Sequence, residues 1–425
     1  MRKVLLTAAL LLAPATAQSS TTADNSTSVG RGAQGAIQLA ARLGGVENLN
    51  FATAANGTLQ VSGILNGARF AARIPRDWNG TSVLYSHGYV RPDQTEPDPN
   101  ATLTSLGPVV DTIVSQGFAV ATSVYDKTGY AVQSGIQRTI ALKRFLDRVG
   151  ARKAYTIGHS MGGNIVVGLV ELYPNEFVGA LPLCGVVGGW SRETEYLTDF
   201  RVVYDSFTKG TKYALPGAGA IFTPNSAFTE QAVVASVRAL FTDAAGGDAT
   251  ARNLVGAIAA STAFAADPVS FATALGGAAY GLADLFQTTG GNGYGNNGKT
   301  YGAALPEAVR TGLNAGVERF DANAAAKTRL EDWYTPKGAF KTKVLSVHNS
   351  VDPLVPVAHE LAYRQTVTAA GNLANLAQQI VPTVNALQPR HCEFTPEQHL
   401  NAWSQLRAWV ESGAKPQDSD FFGAR

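Results

Sequence analysis

The sequence predicts an α/β protein in which a doubly wound, mostly parallel sheet carries helices on both faces. Short apolar runs alternate with helical segments, which is the pattern that produces parallel sheets. The runs are rich in Val, Tyr and Ile, and they read TSVLYSHGY, GFAVATSVY and KAYTIGHS. The last two flank VQSGIQRTIALKRFLDRVG, whose apolar residues recur at helical spacing until Gly150 ends the helix.

Further strands and helices are predicted on both sides of this region. LQVSGILNGARFAARIP alternates around Asn66-Gly67, which is a hairpin signal. An apolar helix is predicted from about Gly162 to Tyr173, where Pro174 stops it. The later segments are a strand at VGALPLCG, a strand at TKVLSVHNSVDP and a final amphipathic helix at PEQHLNAWSQLRAWVESG.

A long stretch of different composition separates the strands that contain Cys184 and Val344. It is rich in Ala, Gly, Phe and Tyr, so we interpret it as an inserted, mainly helical cap; a second independent domain is the alternative. The predicted division is a signal peptide at 1–17, an N-terminal segment at 18–50, the core at 51–189, the cap at 190–340 and the rest of the core at 341–425.

The N-terminal sequence MRKVLLTAALLLAPATAQSS is typical of a secretory signal peptide. Two basic residues precede an apolar run from Val4 to Leu12, and Ala15-Thr16-Ala17 form a small-residue cleavage site. A membrane anchor needs about twenty apolar residues, and this run is shorter. We found no later stretch in the sequence that qualifies. The sequence therefore predicts secretion, extracellular or periplasmic, without stable membrane insertion.

The charge composition argues against nucleic acid as a partner. The chain has 34 Lys and Arg against 32 Asp and Glu, and removing the predicted signal peptide takes away Arg2 and Lys3 and no acids. No block of like charge occurs, which also argues against an anionic membrane surface. Charged residues make up only 16% of the chain and hydrophobic residues 45%, which is ample for a large core.

The string GHSMG, residues 158–162, is the strongest candidate for a catalytic motif. G-x-S-x-G marks a nucleophile when the serine lies between a strand and a helix, and this context is present here. Gly158, Gly162 and Gly163 have no side chains that would clash in so sharp a turn. Ser160 is therefore predicted to be an exposed nucleophile; an ordinary serine in a glycine-rich loop is the alternative.

A serine hydroxyl needs a histidine as base and a carboxylate to orient that histidine. His391, in QPRHCEF, lies in a loop downstream of every predicted strand, whereas the other histidines lie in strands, helices, a strand end or the serine motif. In this fold class the acid lies between serine and histidine in the chain. Asp352 follows a strand by a short loop, whereas Glu331 and Asp332 precede that strand. The alternative for Asp352 is a turn or helix-cap role.

The negative oxygen of a tetrahedral intermediate needs hydrogen-bond donors. One candidate is the backbone N–H of Met161, directly after the nucleophile. The other is the amide of Tyr89, at the end of the loop SHGY that follows an earlier strand. His87 in that loop is then expected to shape it and not to act as a second base.

Cys184 and Cys392 are the two cysteines of the chain. In an oxidising compartment such a pair predicts a disulfide; two buried free thiols are the alternative. Cys184 ends the strand after the nucleophile helix and Cys392 follows the candidate histidine. Both are therefore expected near one strand-end face, where a bridge would hold the loop that carries His391.

Four segments together resemble secreted bacterial α/β-hydrolases of the serine esterase type: RDWNGTSVLYSHGY, IGHSMGGNIVVGLVELYPNEFVGALPLCG, LSVHNSVDPLVP and RHCEFTPEQ. The resemblance covers most of the chain outside the predicted cap. It implies ester hydrolysis and the triad roles already given to Ser160, Asp352 and His391. The His391-Cys392 pair is also similar to tannases and feruloyl esterases, which place the partner cysteine directly before the nucleophile. That position is His159 here.

The sequence thus predicts a secreted serine hydrolase that cleaves small-molecule or polymeric carboxylic esters through an acyl-enzyme, without cofactor or metal. Apolar or aromatic acyl groups are expected to be favoured, because the cap has few charges and many Ala, Phe and Tyr residues. The alternatives are a peptidase or acyltransferase on the same triad, or a catalytically silent binding protein of the hydrolase fold.

Two further motifs are interpreted as coincidental, and the cap aromatics as mainly core. GYGNNGKT at 293–300 matches a phosphate-binding loop but lacks a buried strand before it. HELAY from His359 lacks the second histidine of a zinc site. The aromatics expected to pack mainly in the core are Phe222, Phe264, Phe271, Tyr280 and Phe286.

Overall fold

The structure, a computed structural model, describes residues 34–39, 41–42, 44–262 and 266–420. The predicted signal peptide at 1–17 lies outside them. The described strands form one nine-stranded sheet in the order β1-β2-β3-β5-β4-β6-β7-β8-β9. They are β1 (Val46–Thr53), β2 (Leu59–Leu65), β3 (Ala68–Ile74), β4 (Thr81–Ser86), β5 (Ala119–Ser123), β6 (Lys153–His159), β7 (Gly179–Leu183), β8 (Lys343–Asn349) and β9 (Leu376–Val381).

The strands from β4 to β9 are mutually parallel, whereas β1, β2 and β3 join the sheet by antiparallel pairing. The predicted fold class, a mostly parallel α/β sheet, is confirmed. Along the chain, β4 is the first strand of the parallel part. The next strand, β5, pairs on one side of β4, and β6 pairs on its other side. Such a switch point opens a crevice at the carboxyl ends of the strands, where ligands bind in sheets of this kind.

The antiparallel end of the sheet contains the predicted hairpin. Leu65 pairs with Ala68, so Asn66 and Gly67 alone form the turn, and both have positive φ, 51° and 84°. This is the backbone that Asn-Gly favours in a two-residue hairpin. β1 begins earlier than the predicted core, at Val46. It is an edge strand with mostly exposed or half-exposed side chains, so the sequence carries no clear apolar alternation there.

Helices cover both faces of the sheet. Those after β4 are α1 (Pro99–Ser105), α2 (Pro108–Ser115), α3 (Val132–Val149), α4 (Met161–Leu172), α5 (Trp190–Thr208), α6 (Glu230–Ala245), α7 (Ala249–Thr262), α8 (Pro268–Thr289), α9 (Glu307–Gly316), α10 (Ala324–Asp332), α11 (Ala358–Ala369) and α12 (Pro396–Ser412). Ile136 and Ile140 of α3 share one apolar core with Val166 of α4. Val110 of α2 and Trp403 of α12 belong to the core on the other face.

Helices α5 to α10 lie between β7 and β8, and α5 to α9 contribute to a separate apolar core, which includes Phe200, Phe271 and Leu275. One of these helices, α8, is long and apolar enough to cross a membrane by length and composition. The expectation that no stretch after the N-terminal run is long and apolar enough is therefore wrong for this helix. A little over half of its most apolar window is buried within the protein, and a core helix passes the same test.

The segment 293–300 is a loop that follows α8, and no strand directly precedes it. Lys299, the residue that would contact a phosphate, is paired with the carboxylates of Glu195 and Asp199 on α5. The loop therefore serves the packing of the inserted helices, and nothing in this geometry supports nucleotide binding.

Candidate active site

Ser160 occupies the sharp turn between β6 and α4. Its backbone has φ 57° and ψ −121°, a conformation that side-chain-bearing residues rarely adopt and that exposes the serine at a strand-to-helix elbow. The turn is tightly packed: a Cβ on Gly158 would lie 2.3 Å from the Gly162 carbonyl oxygen, and a Cβ on Gly162 would lie 2.1 Å from the Ser86 carbonyl oxygen. Only glycine fits at these two positions, which explains the motif physically.

The loop after β4 passes directly beside the elbow. A Cβ on Gly88 would lie 3.3 Å from Ser160 Cβ, so the backbone that leads to Tyr89 runs close to the candidate nucleophile. His87 is fixed in this loop: its ring stacks on Tyr125 with centroids 3.9 Å apart, and its Nε2 lies 3.3 Å from Glu96 Oε2. These contacts fit a residue that shapes the loop.

His391 and Asp352 are directly hydrogen-bonded. His391 Nδ1 lies 2.9 Å from Asp352 Oδ1 and 2.8 Å from Oδ2. The carboxylate also accepts the backbone N–H groups of Leu354 at 2.9 Å, Val355 at 3.0 Å and Cys392 at 3.2 Å. Both oxygens of the Asp352 carboxylate therefore accept hydrogen bonds. The carboxylate holds the His391 ring in one orientation with its proton on Nδ1, so that Nε2 can accept a proton.

The two groups shift each other's pKa in the direction that favours an ion pair. Burial opposes the charge on Asp352, but the charge and hydrogen bond of His391 outweigh it, so the pKa of Asp352 falls below its usual value. Burial also opposes the charge on His391, yet the neighbouring carboxylate raises the pKa of His391 above its usual value. Asp352 thus stabilises the imidazolium that forms when His391 accepts a proton.

A single cavity brings the three predicted triad residues together. Ser160 and His391 both line it, and Asp352 is buried behind His391. Among the described residues, no hydrogen bond joins Ser160 Oγ to His391. Such contacts between nucleophile and base are often long in the free enzyme and tighten when substrate binds.

Cys184 and Cys392 form a disulfide, with Cα atoms 5.3 Å apart and 208 positions apart in the chain. Cys184 follows β7, the neighbour of the strand that leads to Ser160. The sulfur of Cys392 lies 3.3 Å from His391 Nε2, so the imidazole rests against the bridge. The bridge thereby ties the loop that carries His391 to the parallel sheet.

His159, directly before Ser160, belongs to a buried chain of hydrogen bonds. Tyr85 donates its hydroxyl to His159 Nδ1 at 3.2 Å, and His159 Nε2 lies 2.8 Å from His399 Nε2. His399 Nδ1 in turn lies 3.1 Å from the Thr395 carbonyl oxygen and donates to it, so His159 donates to His399. Burial lowers the pKa of His159 to about 3, which keeps it neutral and holds this chain intact.

The cavity has a volume of about 400 Å³ and lies between the sheet edge and the inserted helices. Its walls are largely apolar, with Leu197 from α5, Leu285 from α8 and Leu354 after β8. Tyr280 also lines it, whereas Phe271 is buried in the core of the inserted helices. Phe222 and Phe286 pack on each other, and Phe264 lies outside the described residues. Cavities of this size hold small organic ligands.

Two residues of the first turn of α5 line the cavity and were not identified from the sequence. Trp190 and Glu193 are 5% and 3% exposed. Glu193 Oε2 lies 3.1 Å from Nε2 of buried His359. A carboxyl buried in the cavity that Ser160 and His391 line is a candidate for function, but in the sequence it is one acid among many in the inserted region. Only the fold shows which helix faces Ser160.

Within the described part of the chain, the site lacks the ligands that a metal ion requires. Among the described residues, Asp352, His391 and Cys392 form the group with suitable spacing. Cys392 is in the disulfide and offers no thiolate, and His391 Nδ1 already donates to Asp352. This leaves fewer protein ligands than the three that catalytic zinc sites use.

Comparisons with known proteins give similarity in structure only. No protein-family model matches the chain, and no curated protein matches it. A rice cell wall degrading esterase, LipA from Xanthomonas oryzae, is 14% identical, covering 86% of this chain and 97% of its own with a TM-score of 0.43. Feruloyl esterase B from Aspergillus oryzae is 14% identical. The match covers 87% of this chain and 88% of the esterase, with a TM-score of 0.44. The monoacylglycerol lipase of Paleococcus ferrophilus is 12% identical. The match covers 81% of this chain and 98% of the lipase, with a TM-score of 0.38. These values carry no argument about activity, so the functional argument starts from the site.

Proposed function

We propose that this α/β-hydrolase-fold protein is a serine hydrolase of carboxylic esters. The observation that carries the proposal is the His391–Asp352 pair, hydrogen-bonded at 2.8 Å beside the same cavity that Ser160 lines from its elbow. A strained elbow serine, an oriented histidine and a buried carboxylate form the constellation that acyl transfer requires.

In this mechanism Ser160 Oγ attacks the ester carbonyl carbon while His391 Nε2 accepts the hydroxyl proton. The tetrahedral intermediate collapses to an acyl-enzyme, and His391 delivers the proton to the leaving alkoxide. Water then attacks the acyl carbon while His391 takes its proton. When the second tetrahedral intermediate collapses, His391 returns that proton to Ser160 Oγ and the acid is released. Asp352 stays ionised throughout and holds the imidazole in the productive tautomer.

The backbone amides of Met161 and Tyr89 are the proposed donors to the negative oxygen. Met161 is the first residue of α4, so the oxygen would also benefit from the positive end of that helix. The loop that leads to Tyr89 runs beside Ser160, as the Gly88 contact shows. Each donor of this kind typically contributes about 3 to 4 kcal/mol to the transition state.

The proposed site of action is outside the cytoplasm. The Cys184–Cys392 bridge supports this, because disulfides persist in oxidising compartments and are rare in the cytosol. The N-terminal sequence predicts a signal peptide independently. Sequencing the N-terminus of exported protein tests this part of the proposal, and cleavage before Gln18 is the expected result.

Labelling with a fluorophosphonate, followed by peptide mapping, tests the function itself. We expect the label on Ser160, together with hydrolysis of p-nitrophenyl hexanoate. A labelled protein that cleaves peptides or transfers acyl groups to alcohols in preference to water would favour the peptidase or acyltransferase alternatives. A protein that takes no label at Ser160 and cleaves no ester would be a binding protein of the same fold.

The apolar cavity predicts that the specificity constant rises with the acyl chain. Each additional buried CH₂ contributes up to about 0.8 kcal/mol, or roughly fourfold in kcat/KM. A series of p-nitrophenyl esters from acetate to octanoate measures this directly, with a cinnamate ester for aromatic acyl groups and a succinate monoester as the charged, disfavoured case. A profile in which acetate is the best substrate would contradict the assignment of this cavity to the acyl group.

The pH dependence of activity follows from the raised pKa of His391. The histidine must be neutral to accept the proton from Ser160, and its pKa lies above the usual value of about 6.5. Activity is therefore lost as the pH falls through this raised value and is regained above it. We expect kcat/KM for a neutral ester to rise with pH along one proton-dependent limb whose midpoint lies above about 6.5. A midpoint well below 6 would mean that a different group is the base.

A further inference from the structure

The substrate cavity has a polar group at its buried end that the ester mechanism does not use. The polar side chains near the solvent are Arg91 and Gln94, of which Gln94 is exposed and Arg91 half-buried. Deeper in the cavity, apolar side chains such as Leu197 form the wall, and among them lies the carboxyl of Glu193. A carboxyl placed in an apolar wall costs free energy unless it has partners.

Glu193 has one protein partner, and its geometry defines which atom remains available. The backbone N–H of Gly188 donates to His359 Nδ1 at 3.1 Å, so this histidine carries its proton on Nε2. His359 Nε2 then donates to Glu193 Oε2 at 3.1 Å. Among the described residues, Glu193 Oε1 has no hydrogen-bond partner. The residue lines the cavity, and one of its oxygens is left without a partner from the protein.

The protonation states at this end are consistent with one another. Burial lowers the pKa of His359 to about 3, so the imidazole is neutral and donates through Nε2. Burial raises the pKa of Glu193 well above its usual value, and the nearby Asp352 adds to this effect, although the charge of His391 opposes it. Burial therefore favours the protonated, neutral form of this carboxyl, in which the second oxygen can carry an O–H group that donates as well as accepts.

Trp190, one helical turn before Glu193, lines the same wall. Trp190 is 5% exposed, and its indole nitrogen is fully buried without a hydrogen-bond partner among the described residues, so this N–H does not reach the cavity. Buried polar groups are nearly always paired in folded proteins. The Glu193 oxygen that has no protein partner in the cavity wall therefore points to a polar part of the substrate.

We propose that Glu193 is a substrate-binding residue that selects esters whose acyl group carries a hydroxyl, which it hydrogen-bonds at the buried end of the cavity. This rests on the proposed function, because it assumes that the cavity holds the acyl group of an ester bound at Ser160. A hydroxyl fits this carboxyl because it can donate to the free oxygen and can also accept from it when the carboxyl is protonated. A charged group does not fit, because it would enter an apolar cavity without a counter-ion.

The decisive measurement compares matched esters in wild-type enzyme. The probes are the ethyl esters of hexanoate, 3-hydroxyhexanoate and 6-hydroxyhexanoate, together with the corresponding octanoates. Hydrolysis of each ester is measured by pH-stat titration. We expect at least one hydroxylated ester to exceed its unsubstituted counterpart in kcat/KM by at least about fivefold, because the unsubstituted chain leaves the buried carboxyl unpaired. Equal or lower values for every hydroxylated ester would overturn the proposal.

Two variants separate substrate binding from a structural role. Glu193→Gln keeps an acceptor for His359 and a donor toward the cavity, so it should retain the preference for the hydroxylated ester. Glu193→Leu has no polar group and should reduce that preference to about one, whatever its effect on the melting temperature. A Glu193→Leu enzyme that keeps the wild-type ratio would also overturn the proposal. Glu195→Gln, on the outer part of the same helix and paired with Lys299, is the matched control and should leave the ratio unchanged.

The outcome is distinguishable from failure of the proposed function. If wild-type enzyme hydrolyses hexanoate and octanoate esters but ignores the hydroxyl, ester hydrolysis stands and the role of Glu193 is wrong. If no ester is hydrolysed and Ser160 takes no fluorophosphonate label, the function itself fails. If Glu193→Leu does not fold, the wild-type ratios and the Glu193→Gln variant still decide the question.

Discussion

Replacing Ser160 or His391 with alanine is expected to lower ester turnover by up to about six orders of magnitude. In the proposed mechanism Ser160 supplies the attacking oxygen and His391 carries the proton in both half-reactions, so neither step should proceed at its normal rate without the pair. The residual rate should reflect binding and the donors to the negative oxygen alone. Turnover of p-nitrophenyl hexanoate by purified variants measures the loss.

The double variant Ser160→Ala/His391→Ala tests whether the two residues act as one unit. Its activity should be about that of either single variant, because each substitution alone already abolishes the same chemistry. Ser412→Ala, at the exposed end of α12, is the control and should keep wild-type activity. A single variant with more than a few per cent of wild-type activity would show that the nucleophile or the base has been misassigned.

Removing the disulfide is expected to destabilise the protein and to slow catalysis together. The loop that Cys184 and Cys392 close is very long, and loop entropy assigns such a bridge about 5 kcal/mol, with measured bridges commonly at 2–5 kcal/mol. The bridge also lies against His391, so the imidazole should lose part of its fixed orientation. Cys184→Ala/Cys392→Ala should therefore unfold at lower urea concentration and show reduced kcat.

Two controls isolate the effect of the bridge. Reducing agent should lower the stability of the wild-type protein toward that of the double variant and leave the double variant unchanged. Labelling of Ser160 by a fluorophosphonate should persist in the variant if the elbow is intact. Thiol titration of denatured, unreduced wild-type protein should find no free thiol; two reactive thiols would rule out the bridge.

Local sequence patterns were sufficient to predict the parts of the fold whose backbone conformation depends on neighbouring residues in the chain. The Asn66-Gly67 turn was predicted because positive φ at both positions favours these residue types, and the structure has that turn. The elbow at Ser160 was predicted because glycines must surround a serine in so sharp a turn. β1 was missed, since an edge strand that buries little apolar surface leaves only a weak pattern.

Glu193 and His159 show what local patterns do not contain. Glu193 lies far from His391 in the chain, and only the way α5 packs over the sheet brings its carboxyl to the cavity that Ser160 lines. His159 was identified as a neighbour of the nucleophile, but its bond to His399 joins side chains 240 positions apart. Contacts of this kind depend on how whole elements pack, and no short window of sequence specifies that.

By itself the sequence determined the α/β class and the hairpin, and it singled out Ser160, Asp352, His391 and the two cysteines as candidates, because these depend on residue type, spacing and chain order. Only the tertiary structure decided which of the many acids and aromatics of the inserted helices face the cavity. Burial is the physical reason: a carboxyl changes its protonation and its role when packing removes it from water, and packing is a property of the whole chain.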